Sequence, residues 1–251
     1  MIIMAKQVFF MDIVLYVLLG LLAAIIGFIL FVIISGLLVD TKKEYDKHSN
    51  FYRFLVNVVT WLTLWCSRVR VHVTGRESVP DTNVLFVGNH RSNYDSLVTW
   101  LVFKKWRPAY ISKHSNFKIP ICGRLIRKCC FLAIDRENPR NAIKTINKAA
   151  ELIGNQNISF GVYPEGTRNK SYQGLLPFHN GVFKVAQKAN IPVVVVAIHG
   201  TEMIHKNAPW RHTEVYLDVL DVMSAAFVKE NGTAVIGEHV QQLLLNHLEN
   251  K

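Results

Sequence analysis

Three short segments bring a histidine, carboxylates and guanidinium groups together at spacings that chemistry can use. The first is Asn89-His90-Arg91-Ser92-Asn93-Tyr94-Asp95. A carboxylate five residues beyond a histidine can fold back through a turn and accept the imidazole N–H. That bond would fix the tautomer and leave the second ring nitrogen free as a general base. The same fragment also reads as an Asn/Asp helix cap beside a loop histidine. The second segment is Tyr163-Pro164-Glu165-Gly166-Thr167-Arg168-Asn169. Gly166 permits tight backbone geometry, and the loop amides with Arg168 suit a phosphate. A tight turn with a solvated arginine is the alternative. The third, Ile134-Asp135-Arg136, reads alone as a surface ion pair. In combination, a His–Asp pair flanked by arginines and Lys113 suits deprotonation of a hydroxyl next to a phosphate. No G-x-S-x-G, Walker loop, H-E-x-x-H or G-x-G-x-x-G occurs, so neither a covalent nucleophile nor a metal is indicated.

Each segment comes at the end of a predicted strand: Val84–Val87, an apolar run as expected of a strand covered on both faces, Phe131–Ile134, a buried strand, and Ile158–Tyr163. In α/β sheets, sites form at the carboxyl ends of strands, so the three loops could share one rim. Val69, Val71 and Val73 alternate with polar residues as a half-buried strand ending at Gly75. Ala109–Ile111, Val193–Ile198 and Val215–Val219 are further strands. Helices are predicted at Asp95–Phe103, along the stripe Ala142, Ile143, Ile146, Ala149, Ala150 and Ile153, at Gly181–Ala189 and at Val235–Leu248. Strands alternating with helices argue for an α/β layered domain. The loop of residues 164–180 is long, and loops of that length usually serve function.

The 251 residues allow one ordinary domain and an appendage. Half are apolar, only 19% are charged, and mean hydropathy is +0.19; a disordered chain is excluded. The net charge is +11, yet residues 1–40 hold only Lys6, Asp12 and Asp40, so the remainder carries one unit more than the whole. A basic body suits nucleic acid, acidic lipid or an anionic substrate. Nucleic acid lacks support, because no finger spacing and no basic region running into heptads occurs. Ile13 to Leu38 is a run of 26 uncharged residues, where about 20 suffice to cross a bilayer. It is too long for a signal-peptide core and lacks its basic flank, so a retained anchor is expected. Lys42, Lys43, Lys47 and Arg53 follow it, against Lys6 before it, which places the body on the cytoplasmic face. Residues 1–50 thus form an anchor and polar hinge, and 69–251 the α/β domain. Residues 51–68 hold an apolar helix, with Phe51, Phe54, Leu55, Val58, Leu62 and Trp65 at helical spacing. It reads equally as an interfacial helix and as a core helix, since Arg53, Asn57 and Thr60 interrupt it. Lys104-Lys105-Trp106-Arg107 could rest on anionic headgroups or be a solvated charge run. Cys66, Cys122, Cys129 and Cys130 make no CxxC and read as reduced, mostly buried thiols in a reducing compartment.

The spaced motifs resemble the 1-acylglycerol-3-phosphate acyltransferase family over residues 69–200. N-H-x-x-x-x-D matches Asn89, His90 and Asp95, and F-P-E-G-T-R-S matches Pro164 to Arg168, with Tyr163 and Asn169 as departures. G-x-x-F-I-D-R keeps Ile134, Asp135 and Arg136, with Cys130 for the glycine and Ala133 for the phenylalanine. Ile191, Pro192 and Val193 match a proline-valine strand, with Val195 where a second proline is usual. Lys113, Pro120 and Gly123 echo a lysine-and-proline stretch, and Phe178 and Gly181 an F-x-x-G. The resemblance implies a mixed, largely parallel sheet flanked by helices, preceded by a transmembrane helix. It implies acyl transfer from acyl-CoA or acyl-carrier protein to the sn-2 hydroxyl of lysophosphatidate, at a phospholipid membrane and with no bound cofactor. His90 and Asp95 would be catalytic. Arg168 would hold the phosphate, helped by Lys113 and Arg136, with Glu165, Gly166 and Thr167 completing that loop. A sibling enzyme for glycerol-3-phosphate or another lysophospholipid, and an inactive lipid-binding scaffold, are the competing readings.

Overall fold

The computed structural model describes residues 2–135, 138–171 and 173–249. Two helices come first, α1 (Ile2–Leu37) and α2 (Asn50–Cys66). Then follow β1 (Val69–Thr74), β2 (Leu85–Gly88), α3 (Tyr94–Val102), β3 (Ala109–Lys113), α4 (Cys122–Arg127), β4 (Leu132–Ile134) and α5 (Pro139–Gln156). The chain continues with β5 (Phe160–Val162), α6 (Lys184–Ala189), β6 (Val193–His199), α7 (Ile204–Asn207), β7 (Thr213–Met223), α8 (Ala225–Glu230) and α9 (Thr233–Glu249). One seven-stranded sheet runs in the order β1-β7-β6-β2-β5-β3-β4. Only the β6–β7 pairing is antiparallel; β6, β2, β5, β3 and β4 are mutually parallel. Their carboxyl ends therefore lie on one rim.

Apolar side chains on both faces hold the sheet. Val193 to Val196 of β6 are all buried, as are Leu85, Phe86 and Val87 of β2, each contributing about 1.5–3 kcal/mol of burial. Leu85, Val87, Val193 and Val195 face one core with α5, α6 and α9, and Phe86, Val194 and Val196 the other with α3. Asn138 caps α5 by accepting from the Arg140 and Asn141 amides at 3.1 and 3.3 Å, and Pro139 opens the helix, as expected of a residue with no N–H to leave unpaired.

Several expectations need correction. β1 lies at the sheet edge, so Val73 is exposed where half-burial was expected. The helix expected at Gly181–Ala189 begins as a 3-10 turn over Asn180–Phe183 and is α-helical only as α6. Trp106 is buried, and its indole N–H donates to the Pro80 carbonyl at 2.7 Å. Lys105 pairs with Asp81. The segment 104–107 sits just before β3, at the end of the sheet opposite the rim, and Lys104 and Arg107 are exposed there. In α2 the three polar residues that interrupt the apolar pattern turn inward: Arg53 and Thr60 are buried, and Asn57 accepts from the Trp100 indole at 2.6 Å. Arg53 donates to the Pro108 and Cys129 carbonyls at 2.9 and 3.2 Å and lies over the Trp100 ring. The expected single stripe is split. Leu55 enters the core, whereas Phe51, Phe54, Trp61 and Trp65 stay exposed, so α2 is a core helix on one face and an open aromatic surface on the other.

Candidate active site

His90 sits two residues beyond the end of β2. Asn89 carries the strand pairing to its last residue: its side chain donates to the Ile198 carbonyl at 2.8 Å and accepts the Ile198 amide at 2.9 Å. Asp95 occupies the first turn of α3 and is fully buried. Its Oδ2 accepts from His90 Nδ1 at 2.8 Å, from the Arg91 amide at 2.7 Å and from the Ser92 amide at 2.8 Å. Its Oδ1 accepts from the Thr201 hydroxyl. Asn93, the N-cap of α3, makes no side-chain cap bond; Asp95 instead takes the amides of the turn before the helix and fixes the imidazole with the same carboxylate oxygen. With Nδ1 bound to Asp95, Nε2 is the nitrogen left for a substrate, and it makes no hydrogen bond among the described residues.

The His90 ring stacks on Tyr163 with centroids 4.4 Å apart and planes 13° from parallel. The Tyr163 hydroxyl lies 3.2 Å from Thr99 Oγ1, which lies 2.6 Å from the Tyr110 hydroxyl. Burial pushes both phenols above their ordinary range, so they act as neutral hydrogen-bonding groups beneath the ring.

The loop after β5 is sewn to the His90 loop. Glu165 is buried, and its two oxygens accept the His90 amide at 2.7 Å and the Leu176 amide at 2.9 Å. Burial raises its carboxyl above the usual range, opposed by those two amide bonds. Its carboxylate therefore serves the backbone as a brace. The Asn169 amide donates to the His90 carbonyl at 2.7 Å. Gly166 takes φ +68° in the turn closed by its amide on the Tyr163 carbonyl at 2.9 Å, a conformation costing other residues about 1–2 kcal/mol. Beyond the turn, Thr167 and Arg168 are exposed. Lys113, the last residue of β3, donates to the Thr167 hydroxyl at 3.3 Å. Arg168 makes no hydrogen bond or ion pair among the described residues, so its five donors are open to an anion. Arg136 lies outside the described residues. Asp135 accepts from the Asn138 amide and the Asn141 side chain at 3.3 and 3.0 Å, at the start of α5.

Beside this rim opens an apolar cavity of about 140 Å³. Ile111, Ile134, Ile146 and Val162 line its depth, and Tyr163 and Gly166 lie on the side toward His90.

Thr201 was not among the residues picked from the sequence. It is fully buried just after β6, beyond Gly200 at φ +89°. A Cβ on Gly200 would fall 2.3 Å from the Glu214 carbonyl oxygen. A Gly-Thr pair directly after the most Val-rich strand was the available signal.

A buried aspartate thus holds His90 by one ring nitrogen, and the loop bonded to the His90 backbone carries an exposed arginine, an arrangement open to general-base chemistry. Residues 70–199 match the acyltransferase family model, over half of the chain, and the chain belongs to that family. Among its relatives is a 1-acyl-sn-glycerol-3-phosphate acyltransferase of Haemophilus influenzae, 32% identical over 151 residues. That match covers 60% of this chain and 62% of the relative, so it spans about six tenths of the relative's length. A protein of the same description from Borreliella burgdorferi is 27% identical over 192 residues, covering 73% of this chain and 75% of that one. The crystal structure of the 1-acyl-sn-glycerophosphate (LPA) acyltransferase PlsC from Thermotoga maritima shares the fold, with TM-score 0.67 and 22% identity over 88% of this chain and 86% of that one.

Proposed function

We propose that this chain is a membrane-bound O-acyltransferase that moves a fatty acyl group from a thioester to the sn-2 hydroxyl of lysophosphatidate, giving phosphatidate. The observation that carries this reading is the His90–Asp95 pair at 2.8 Å, facing a rim with Lys113 and Arg168. His90 Nε2 takes the proton of the acceptor hydroxyl as its oxygen bonds to the thioester carbonyl carbon. Asp95 stabilises the imidazolium that forms. The tetrahedral carbon then expels the thiolate, which receives the proton back from His90. No acyl-enzyme is needed.

Arg168 binds the acceptor phosphate, since a guanidinium matches phosphate oxygens in a two-pronged geometry. Lys113 supports it and is held toward Thr167. The apolar cavity next to Tyr163 and Gly166 takes part of an acyl chain. The donor is acyl-CoA or acyl-carrier protein, both anionic and matched to the basic body.

Residues Phe10–Leu37 of α1 have mean hydropathy 3.2 over their most apolar stretch, with none of that window buried. Twenty-eight helical residues reach about 42 Å, enough for a hydrocarbon layer of about 30 Å. Lys42, Lys43 and Lys47 after the span support a cytoplasmic domain by the positive-inside bias, while Arg53, buried in the domain, drops out of that count. A site held at the bilayer spares the lipid chains an exposure to water of about 0.8 kcal/mol per CH₂.

The test is thiol release by the full chain in detergent or bilayer, with lysophosphatidate and either acyl-CoA or acyl-carrier protein. Release that depends on the acceptor, with phosphatidate as product, is expected with one donor at least. No acceptor-dependent release with either donor would refute the reading, and preference for glycerol-3-phosphate would reassign the acceptor.

A further inference from the structure

We infer that the strap joining β6 to β7 is a second membrane contact, distinct from α1 and α2, which seats the catalytic rim on an anionic bilayer through Trp210. The inference rests on the membrane-bound reading above for its setting, but its observations are separate. Trp210 is 85% exposed, an unusual position for so large an apolar ring. Its exposed neighbours His205, Lys206, Arg211 and His212 are all basic or imidazole groups, and Met203 through Thr213 contains no carboxylate.

The strap is built rather than loose. Ile204 is fully buried. The Ala208 amide bonds to the Ile204 carbonyl at 2.9 Å and the Arg211 amide to the Asn207 carbonyl at 2.8 Å. The Asn207 side chain donates to the Thr213 hydroxyl at 3.1 Å. These bonds hold the tip out while the base stays in the core.

Its place in the fold says what it meets. The strap leaves the carboxyl end of β6, on the catalytic rim, where Thr201 holds Asp95. It returns beside the end of α2. Arg68 Nη2 lies 2.7 Å from His212 Nε2, and the Thr213 amide bonds to the Arg68 carbonyl at 3.2 Å. Three residues before Arg68 stands Trp65, 65% exposed and stacked with Trp61 at 6.2 Å. The strap thus continues the outward aromatic surface of α2, and from Lys47 to Arg76 the chain again has no carboxylate. Exposed tryptophans set among cations match the boundary of an anionic bilayer, where indole rings settle at headgroup level and lysine or arginine is drawn to acidic lipid; Glu214, next to the strap, is paired with Arg70 and His72 and leaves Lys206 and Arg211 unneutralised. An acidic protein partner would explain the charge but not the run of indoles leading to an apolar helix face.

The experiment uses the full chain in nanodiscs of phosphatidylcholine and phosphatidylglycerol, with ordinary or chain-brominated phosphatidylcholine. The emission difference between wild type and W210F isolates Trp210. Bromine quenching of that component is expected. Trp210 emission untouched by bromine would overturn the assignment; if it were also shielded from aqueous iodide, a protein or second copy would be the occupant instead. The readout needs no turnover, so it stands or falls apart from the proposed reaction. In a second arm, R211Q should lower turnover of bilayer acceptor about fivefold where phosphatidylglycerol is present, with little change in pure phosphatidylcholine. An equal loss in both lipids, or none in either, would count against the contact.

Discussion

Replacing Asp95 with asparagine removes one charge and keeps the shape. In the wild type, Oδ2 receives three donors, from Arg91, Ser92 and His90, and Oδ1 receives the Thr201 hydroxyl. An asparagine can place its carbonyl oxygen at the Oδ2 position and keep all three. Its amide group then faces Thr201, whose hydroxyl can rotate to accept. The turn and α3 therefore stay in place, and only the anion opposite the forming imidazolium is lost. With 2.8 Å between Nδ1 and Oδ2, the charge centres lie about 4 Å apart. At an effective dielectric near 20, that attraction is worth about 4 kcal/mol. The whole of it appears when His90 takes the proton, so kcat for D95N should fall about 10³-fold. KM for either substrate should change little, because Asp95 is buried and does not reach them. Steady-state thiol release at saturating donor and acceptor measures this, with circular dichroism and extraction behaviour confirming the fold. A loss under about tenfold in folded D95N would refute the idea that Asp95 stabilises charge on His90.

Three further outcomes follow from neighbouring contacts. T201V, which keeps the shape but not the hydroxyl, should lower kcat about tenfold with KM unchanged; T201S should restore most of it, and equal loss in both would point to packing alone. R168A should raise the acceptor KM by about ten- to a hundredfold and leave the donor KM near wild type, with initial rates at varied lysophosphatidate as the check. Burial raises the Cys129 and Cys130 thiols to about 12 and 11, so both remain protonated at pH 8. Iodoacetamide at that pH should modify exposed Cys66 and spare Cys129 and Cys130 until the protein is unfolded, as read by peptide mass.

The parts of this site written locally in the chain were legible. His90 and Asp95 lie within one strand-to-helix turn, and β2, β5 and β6 announce themselves as apolar runs because both faces are covered. The convergence of their loops follows from parallel pairing, which the alternation of strands and helices already implied. Contacts between distant segments were not legible. Thr201 meets Asp95 across 106 residues, and Glu165 braces the His90 amide across 75. Neither spacing leaves a periodic trace. Arg53 was misleading because a charge in an apolar helix reads as exposed, whereas two backbone carbonyls and the Trp100 ring receive it in the interior. Trp106 misled in the same direction: its lysine neighbours are exposed, but its ring packs against Phe86 and Phe103.

In the proposed reaction His90 is the base on which every other step depends. Thiol release from acyl-CoA or acyl-carrier protein, with lysophosphatidate present, should be lost in H90A down to the acceptor-independent background, while the variant stays folded and membrane-bound. Acceptor-dependent release by H90A near the wild-type rate would contradict it.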